Sequence, residues 1–240
     1  VIVDGAAPTT TAWNATTAGT LNWSSGSNWT GGVPPPSSRF STIVFFTGQT
    51  LAAGTITSNN DTAGGHALNV LTLGGTGPTS GSTTMTLGGN ALLLRRESLL
   101  DPVVNLSATN GTGFIWNVSA PMTMEDSTTF QGAGTATFNF SGILSGTGNI
   151  IKNGTSKLIL SGANDYTGIT TIGATGAATA SAGEDITTAS GTRNHAAGRS
   201  ANPSTTKRAT RAPPMLWPSN TKGPGRRVAS MAQARSSSKA

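Results

Sequence analysis

The sequence predicts an all-β protein whose body is a β-solenoid, and three observations lead to this fold class. Gly, Thr and Ser together supply 98 of the 240 residues, whereas charged residues make up only 10%. The apolar segments between residues 40 and 172 are short, rich in β-branched and aromatic types, and several alternate with polar residues. Short motifs recur along the chain at intervals of 14 and 20 residues.

Residues 1–40 form a Trp-rich segment that includes Trp13, Trp23 and Trp29. We expect this segment to be an irregular cap, because the first coil of a solenoid leaves its apolar end open. A second interpretation is that the three indole rings stack on sugars. Alanine substitutions separate the two: loss of stability indicates a cap, and loss of glycan binding alone indicates a site.

Residues 41–172 carry the expected strands. Alternation such as that in Thr135–Phe140 is typical of a strand with one buried face. Glycine interrupts nearly every window that would otherwise favour a helix. For Leu92–Leu100 the two interpretations are one helical turn and, favoured over it, a charged hairpin or loop between strands. The expected strand segments are Ile43–Phe46, Leu68–Leu73, Met85–Leu87, Leu92–Leu94, Val103–Leu106, Phe114–Val118, Met122–Met124, Thr135–Phe140, Gly148–Ile151 and Lys157–Leu160.

Internal repeats favour a solenoid over a sandwich or a barrel. Thr72-Leu73-Gly74-Gly75 recurs as Thr86-Leu87-Gly88-Gly89, and Phe138-Asn139-Phe140-Ser141-Gly142 recurs in kind as Leu158-Ile159-Leu160-Ser161-Gly162. Each unit is a strand followed by a Gly-bearing turn, as stacked coils require.

Residues 146–172 resemble the autotransporter-associated β-strand repeat. They contain a Gly-x-Gly, a strand ending in Lys152, a Gly-rich turn and the run Leu158-Ile159-Leu160-Ser161-Gly162-Ala163-Asn164-Asp165-Tyr166-Thr167-Gly168. Residues 27–35, followed by Ile43–Phe46, look like the opening of similar proteins. The resemblance implies a right-handed parallel β-solenoid, a passenger segment at the bacterial cell surface, and an outer-membrane barrel elsewhere in the full-length protein.

Six residues of this motif receive structural roles. They are Leu158, Leu160, Gly162, Asn164, Tyr166 and Gly168. We expect both leucines to point into the core, and Gly162 and Asn164 to lie where the chain turns a corner, because both residue types tolerate positive φ. We expect the Tyr166 ring to cover the corner with its hydroxyl directed outward, and Gly168 to let the backbone pass closely.

Residues 173–240 differ from the rest of the chain. Residues 1–172 have a net charge of −2, whereas residues 173–240 have a net charge of +8. The latter segment contains only four large aliphatic or aromatic residues: Ile186, Leu216, Trp217 and Val228. Because so little apolar surface cannot offset the entropy of ordering, we expect a disordered tail. The abrupt change also suggests a frameshift product, which translation of the other two reading frames would test.

The sequence offers little for catalysis or cofactor binding. There are no cysteines and only two histidines, His66 in a Gly-flanked turn and His195 in the tail, so neither a thiolate site nor a catalytic triad is expected. Glu125 and Asp126 are adjacent and would face opposite sides of a strand, which favours solvated turn charges. No cofactor, metal or catalytic residue is predicted. The basic tail predicts at most nonspecific, salt-sensitive binding to nucleic acid.

We therefore expect a non-enzymatic structural or adhesive segment of an extracellular bacterial surface protein, with surface glycans or matrix components as partners. The alternative is a secreted carbohydrate-binding or polysaccharide-cleaving β-helix protein. The chain begins at Val1 and its first methionine is Met85, so we expect a monomeric fragment or a processed product, without a membrane span.

Overall fold

The computed structural model describes residues 8–109 and 113–173, together with the backbone of two further strands. These residues lie in one compact unit, Val1–Asn202, and the second unit, Pro203–Ala240, lies outside the described residues. His195 and most of the predicted tail are therefore outside them as well. The described chain is almost wholly β-structure, with one 3-10 turn at Gly26–Asn28.

The strands follow one another in chain order with short connections. They are β1 (Thr9–Trp13), β2 (Gly19–Asn22), β3 (Ser41–Phe45), β4 (Gly54–Asn60), β5 (His66–Leu68), β6 (Val70–Leu73), β7 (Thr83–Gly89), β8 (Leu92–Leu94), β9 (Val103–Leu106), β10 (Phe114–Val118), β11 (Met122–Met124), β12 (Thr128–Gln131), β13 (Thr137–Phe140), β14 (Leu144–Gly146), β15 (Ile150–Lys152), β16 (Lys157–Leu160), β17 (Ile169–Ile172), β18 (Ala177–Ala180) and β19 (Thr192–Asn194).

The strands form three sheets of a parallel β-solenoid, which confirms the predicted fold class. Sheet A has the order β1-β3-β6-β9-β12-β15-β17-β19, sheet B the order β18-β16-β13-β10-β7-β4-β2, and sheet C the order β14-β11-β8-β5. Every described pairing between these strands is parallel except that of β17 with β19. A full coil therefore contributes one strand to each sheet. In the part of the chain that the structure describes, no helix has the length and apolar character to cross a membrane.

The interior is filled by columns of side chains at matched register. In sheet B, Met85, Trp116, Phe138 and Leu158 occupy successive positions of one column, and all are at most 1% exposed. Outward positions on the same strands are occupied mainly by Thr and Asn. Burial of these columns provides the apolar stabilisation that offsets the entropy of ordering the chain.

Lys152 is an exception in the columns of sheet A. It lies between Phe130 and Ile172 and is 0% exposed. Its ammonium group donates hydrogen bonds to the carbonyl oxygens of Asn153 (2.7 Å) and Gly154 (3.1 Å) at the next corner. Desolvation lowers the pKa of Lys152. The lysine at the end of this strand thus fixes the corner that follows it.

Glycines occupy the corners because neighbouring coils approach closely there. In the last coils each of the three corners has a stacked pair of glycines. The pairs are Gly132 and Gly154, Gly142 and Gly162, and Gly148 and Gly168. A Cβ added to Gly168 would lie 2.0 Å from the carbonyl oxygen of Gly148, so a side chain cannot be accommodated without moving the backbone. The glycine excess therefore reflects close contacts between coils as well as turn geometry.

The coils shorten along the chain. In sheet A, Val70 pairs with Val103, 33 positions later, whereas Ile150 pairs with Thr170, 20 positions later. The longer coils place the extra residues in their corners, such as residues 74–82 between β6 and β7. The region that the sequence suggested as one segment, Leu68–Leu73, instead contains a corner at the buried Asn69, so that its two halves belong to sheets C and A.

The N-terminal end of the solenoid is covered by the segment after β2. Trp29 forms an antiparallel bridge to Trp13 of the outermost strand of sheet A, and the Thr30 N–H donates to the Ala12 carbonyl at 2.8 Å. At the edge of sheet C, the Ser38 N–H donates to the Ala67 carbonyl at 2.9 Å. These contacts occupy backbone groups that would otherwise be open to pairing with another chain.

Three of the motif residues differ from expectation. Neither Gly162 nor Asn164 has a positive φ; instead a Cβ on Gly162 would lie 2.4 Å from the Gly142 oxygen, and Asn164 Oδ1 accepts a hydrogen bond from Leu144 N–H at 2.8 Å. The Tyr166 hydroxyl does not point outward, because the residue is 2% exposed and its oxygen lies 2.6 Å from Thr170 Oγ1.

The other motif residues are placed as the alternation indicates. Leu158 and Leu160 are buried at 1% and 0% exposure, while Lys157 is exposed. Gly168 makes the close approach described above. The motif is therefore a set of core and corner positions in the last described coils.

Candidate binding trough

A ladder of polar side chains runs along the outer face of sheet A. Thr72, Asn105 and Gln131 occupy successive positions of one outward column. Asn105 Nδ2 donates to Thr72 Oγ1 at 3.1 Å, and Gln131 Nε2 donates to Asn105 Oδ1 at 3.0 Å. Parallel strands alternate their side chains between the two faces, so the same register that fills the core also aligns this ladder.

The long corners between sheets A and B form a wall beside this ladder. Thr50, Thr76 and Thr109 make parallel bridges from coil to coil, and Thr109 Oγ1 donates to Thr76 Oγ1 at 3.1 Å. The first of these corners begins at Phe46, which is buried and has a φ of 56°. Left-handed backbone is unusual for a bulky residue, and here it redirects the chain at the start of the corner.

Sheet and wall together border a shallow trough that is open to solvent. It consists of two adjoining cavities of about 720 and 320 Å³ that share Thr72 and Ser107. The larger cavity is lined by Thr72, Asn105, Ser107, Gln131, Gly132, Ala133, Asn153, Gly154 and Thr155. Among the described residues that line either cavity, none is charged. The trough therefore offers hydroxyl groups, side-chain amides and small apolar groups.

The tryptophans singled out in the sequence lie elsewhere, in the interior of the N-terminal end. Trp13, Trp23 and Trp29 are 0%, 1% and 2% exposed, so their rings present no open face to a sugar. The Trp29 ring is edge-on to both others, with centroid distances of 4.9 Å to Trp13 and 5.5 Å to Trp23. Trp23 Nε1 donates to Ser58 Oγ, and Trp29 Nε1 donates to the Trp23 carbonyl. This buried packing favours the interpretation of the three tryptophans as a cap over the first coil.

The glycines beside His66 suggested a turn, but His66 lies in the interior, at the start of β5. It is 1% exposed, its ring centroid lies 4.9 Å from that of Trp23, and its Nδ1 is 3.3 Å from Thr62 Oγ1. Its Nε2 has no hydrogen-bond partner within the described residues. Burial lowers the pKa of His66 to about 4, although the Pro36 carbonyl acts in the opposite direction.

We expect the free energy of unfolding to fall as the pH is lowered from 6.5 towards 4. In this window the unfolded chain binds a proton at His66 and the folded chain does not, so the contribution is complete above pH 6.5 and is lost progressively as the pH falls to about 4. The lowering of the pKa from 6.5 to about 4 corresponds to about 3 kcal/mol. Urea unfolding followed by tryptophan fluorescence at several pH values measures this slope.

A His66→Leu variant is the control, because Leu92 occupies the next position of the same column. It should show no slope in this window. Desolvation raises the pKa of Asp61, but hydrogen bonds from Ser24 outweigh this effect and hold the pKa below 3.8. Protonation of Asp61 therefore affects stability at a lower pH than protonation of His66. An unchanged slope in the variant would contradict the role given to His66.

The carboxylates considered in the sequence hold a projecting loop. Arg95 pairs with Glu125 at 2.8 Å, Arg96 pairs with Asp101, and Asp126 Oδ2 accepts from the Arg96 N–H at 2.9 Å. Glu125 and Asp126 are thus turn residues, as predicted, but they bind arginines of the preceding coil. In the described part of the chain no group of three or more His, Cys, Asp or Glu residues is placed to hold a metal ion.

The trough residues were missed at the sequence level. Thr72, Asn105 and Gln131 are separated by 33 and 26 positions, so no fixed period connects them until the strand register is known. One feature of the sequence could have indicated these residues: the outward positions are polar in strands whose other face is apolar. No family model matches this chain, and neither the curated proteins nor the solved structures include a match.

Proposed function

We propose that this chain is a non-enzymatic structural or adhesive segment of an extracellular bacterial surface protein. The observation that carries the proposal is the uncharged trough on the outer face of a stack of coils whose N-terminal end is closed. The resemblance of residues 146–172 to the autotransporter-associated repeat supports the cellular setting, with a membrane barrel elsewhere in the full-length protein.

The roles of the ionisable groups support a scaffold. Lys152 bonds to corner carbonyls, His66 packs against Trp23, and Asp61 accepts hydrogen bonds from Ser24. Arg95 and Arg96 pair with carboxylates of neighbouring turns. Lys152, Asp61, Arg95 and Arg96 thus make contacts that hold corners and turns of the fold, whereas His66 packs in the interior with its Nε2 unpartnered among the described residues.

The second candidate function is that of a secreted carbohydrate-binding or polysaccharide-cleaving β-helix protein. The trough favours its binding form, because amides and hydroxyl groups are the partners that neutral sugars require. A reducing-sugar assay on the full chain separates cleavage from binding: the proposed function predicts no release of reducing ends.

Adhesion of chain-coated beads to glycan-coated and matrix-protein-coated surfaces tests the proposal. We expect retention to persist at about 0.5 M salt, where the +8 net charge of residues 173–240 is screened, because the trough is lined by uncharged groups. Absence of retention on every surface would contradict the adhesive role. Beads coated with heat-unfolded chain serve as the control.

A further inference from the structure

We propose that the trough binds an unbranched chain of neutral sugars that lies along the solenoid axis, with about one sugar ring per coil. This inference rests on the proposed adhesive function and specifies its ligand class. The proposed contact residues are Asn105, Gln131 and Asn153, and Ala133 also lines the larger cavity.

The spacing of the ladder matches such a ligand. Successive strands of a sheet are about 4.8 Å apart, a distance close to the length of one pyranose unit in an extended chain. Asn105 and Gln131 lie in neighbouring coils, and Asn153 follows in the next, where its N–H donates to the Phe130 carbonyl at 2.8 Å. A linear oligomer therefore meets a side-chain amide at each step.

The hydrogen-bonding capacity of the ladder is only partly used. A side-chain amide has two N–H donors and one carbonyl acceptor. Gln131 donates one N–H to Asn105, and within the described residues its Oε1 and second N–H are free for a ligand. Sugar hydroxyl groups both donate and accept, so they complement an amide in either orientation.

The lining also excludes charged ligands. Because none of the described lining residues is charged, a uronate or sulfate placed in the trough would lose hydration without gaining a cationic partner. The methyl groups of Val44 and Ala133 and the glycine backbone provide apolar surface for the C–H face of a sugar ring. Neutral glycans are therefore favoured.

Calorimetric titration of the full chain with defined oligosaccharides tests the inference. The probes are linear hexasaccharides of glucose, mannose, galactose and N-acetylglucosamine, with a hexagalacturonate as the charged comparison, all titrated at about 0.5 M salt so that the +8 net charge of residues 173–240 is screened. We expect at least one neutral probe to bind at least tenfold more tightly than the hexagalacturonate.

Variants locate the binding. Gln131→Ala removes one amide and should weaken binding about three- to tenfold. Ala133→Trp fills the trough and should weaken binding at least tenfold. Asn117→Ala is the matched control, because Asn117 belongs to an equivalent hydrogen-bonded ladder with Asn139 on sheet B, and it should bind as the parent chain does. Circular dichroism checks that each variant is folded. If Ala133→Trp does not fold, the binding measured for Gln131→Ala tests the inference.

Three results would overturn the inference: no binding of any neutral probe, preference for the charged probe, or unchanged binding by Gln131→Ala. Bead adhesion separates this failure from that of the proposed function. If Gln131→Ala beads adhere as the parent does and soluble neutral hexasaccharide does not compete, the chain is adhesive but the trough is not its site. If the parent beads do not adhere at all, the proposed function itself fails.

Discussion

Replacement of Trp29 by alanine is expected to lower the free energy of unfolding by about 3–5 kcal/mol, the range for removal of a large buried aromatic side chain. Trp29 is 2% exposed, packs edge-on against Trp13 and Trp23, and donates its Nε1–H to the Trp23 carbonyl at 2.8 Å. The substitution leaves a cavity where the cap covers the first coil. Urea unfolding followed by far-UV circular dichroism measures the loss.

Val33→Ala is the matched control for this prediction. Val33 belongs to the same segment but is 65% exposed, so its truncation should change stability by less than about 0.5 kcal/mol. Trp23→Ala should resemble Trp29→Ala, since Trp23 is equally buried. Full stability of either tryptophan variant together with loss of glycan binding would contradict the cap and restore the sugar-stacking interpretation.

Replacement of Gly168 by alanine is expected to destabilise the fold by about 3 kcal/mol, the upper part of the range for overpacking. The new Cβ would lie 2.0 Å from the Gly148 oxygen and 2.5 Å from its carbonyl carbon. Both atoms belong to the backbone of the preceding coil, so the strain cannot be relieved by a change of rotamer. Thermal and urea unfolding of the variant measure the effect.

Gly88→Ala provides the comparison. At this position the nearest atom to the added Cβ is the Ser119 hydroxyl oxygen, 3.2 Å away, and this side chain is able to rotate. We expect a loss of less than about 1 kcal/mol. Equal losses for the two variants would show that the corner contact has no special importance and that glycine acts only through chain entropy.

The strand pattern was predictable because one face of each strand is buried. Val103–Leu106, Phe114–Val118 and Lys157–Leu160 were expected and found with the same bounds. Strand β12, Thr128–Gln131, was missed, because its one large apolar residue, Phe130, gives no alternation to detect. The 20-residue repeat does mark stacked coils, because Phe138 pairs with Leu158, whereas the two copies of the 14-residue repeat lie on β6 and β7 in different sheets.

The corners and the trough were not predictable in this way. The Tyr166 ring was expected to cover the corner with its hydroxyl directed outward, but Thr170 provides a partner for this hydroxyl inside the solenoid. The trough depends on contacts between coils of unequal length, such as the bridge between Thr76 and Thr109. Corner length varies without a fixed period, so the register that joins these residues appears only in the folded chain.

Hydrogen–deuterium exchange of the full chain, with and without a saturating neutral hexasaccharide, tests most directly the claim that the outer face of sheet A carries the binding site. We expect added protection in peptides that cover Val103–Leu106, Thr128–Gln131 and residues 153–155. Peptides that cover Phe114–Val118 and Thr137–Phe140 of sheet B should exchange as in the free chain. Protection centred on sheet B, or the absence of any ligand-dependent protection, would contradict the account.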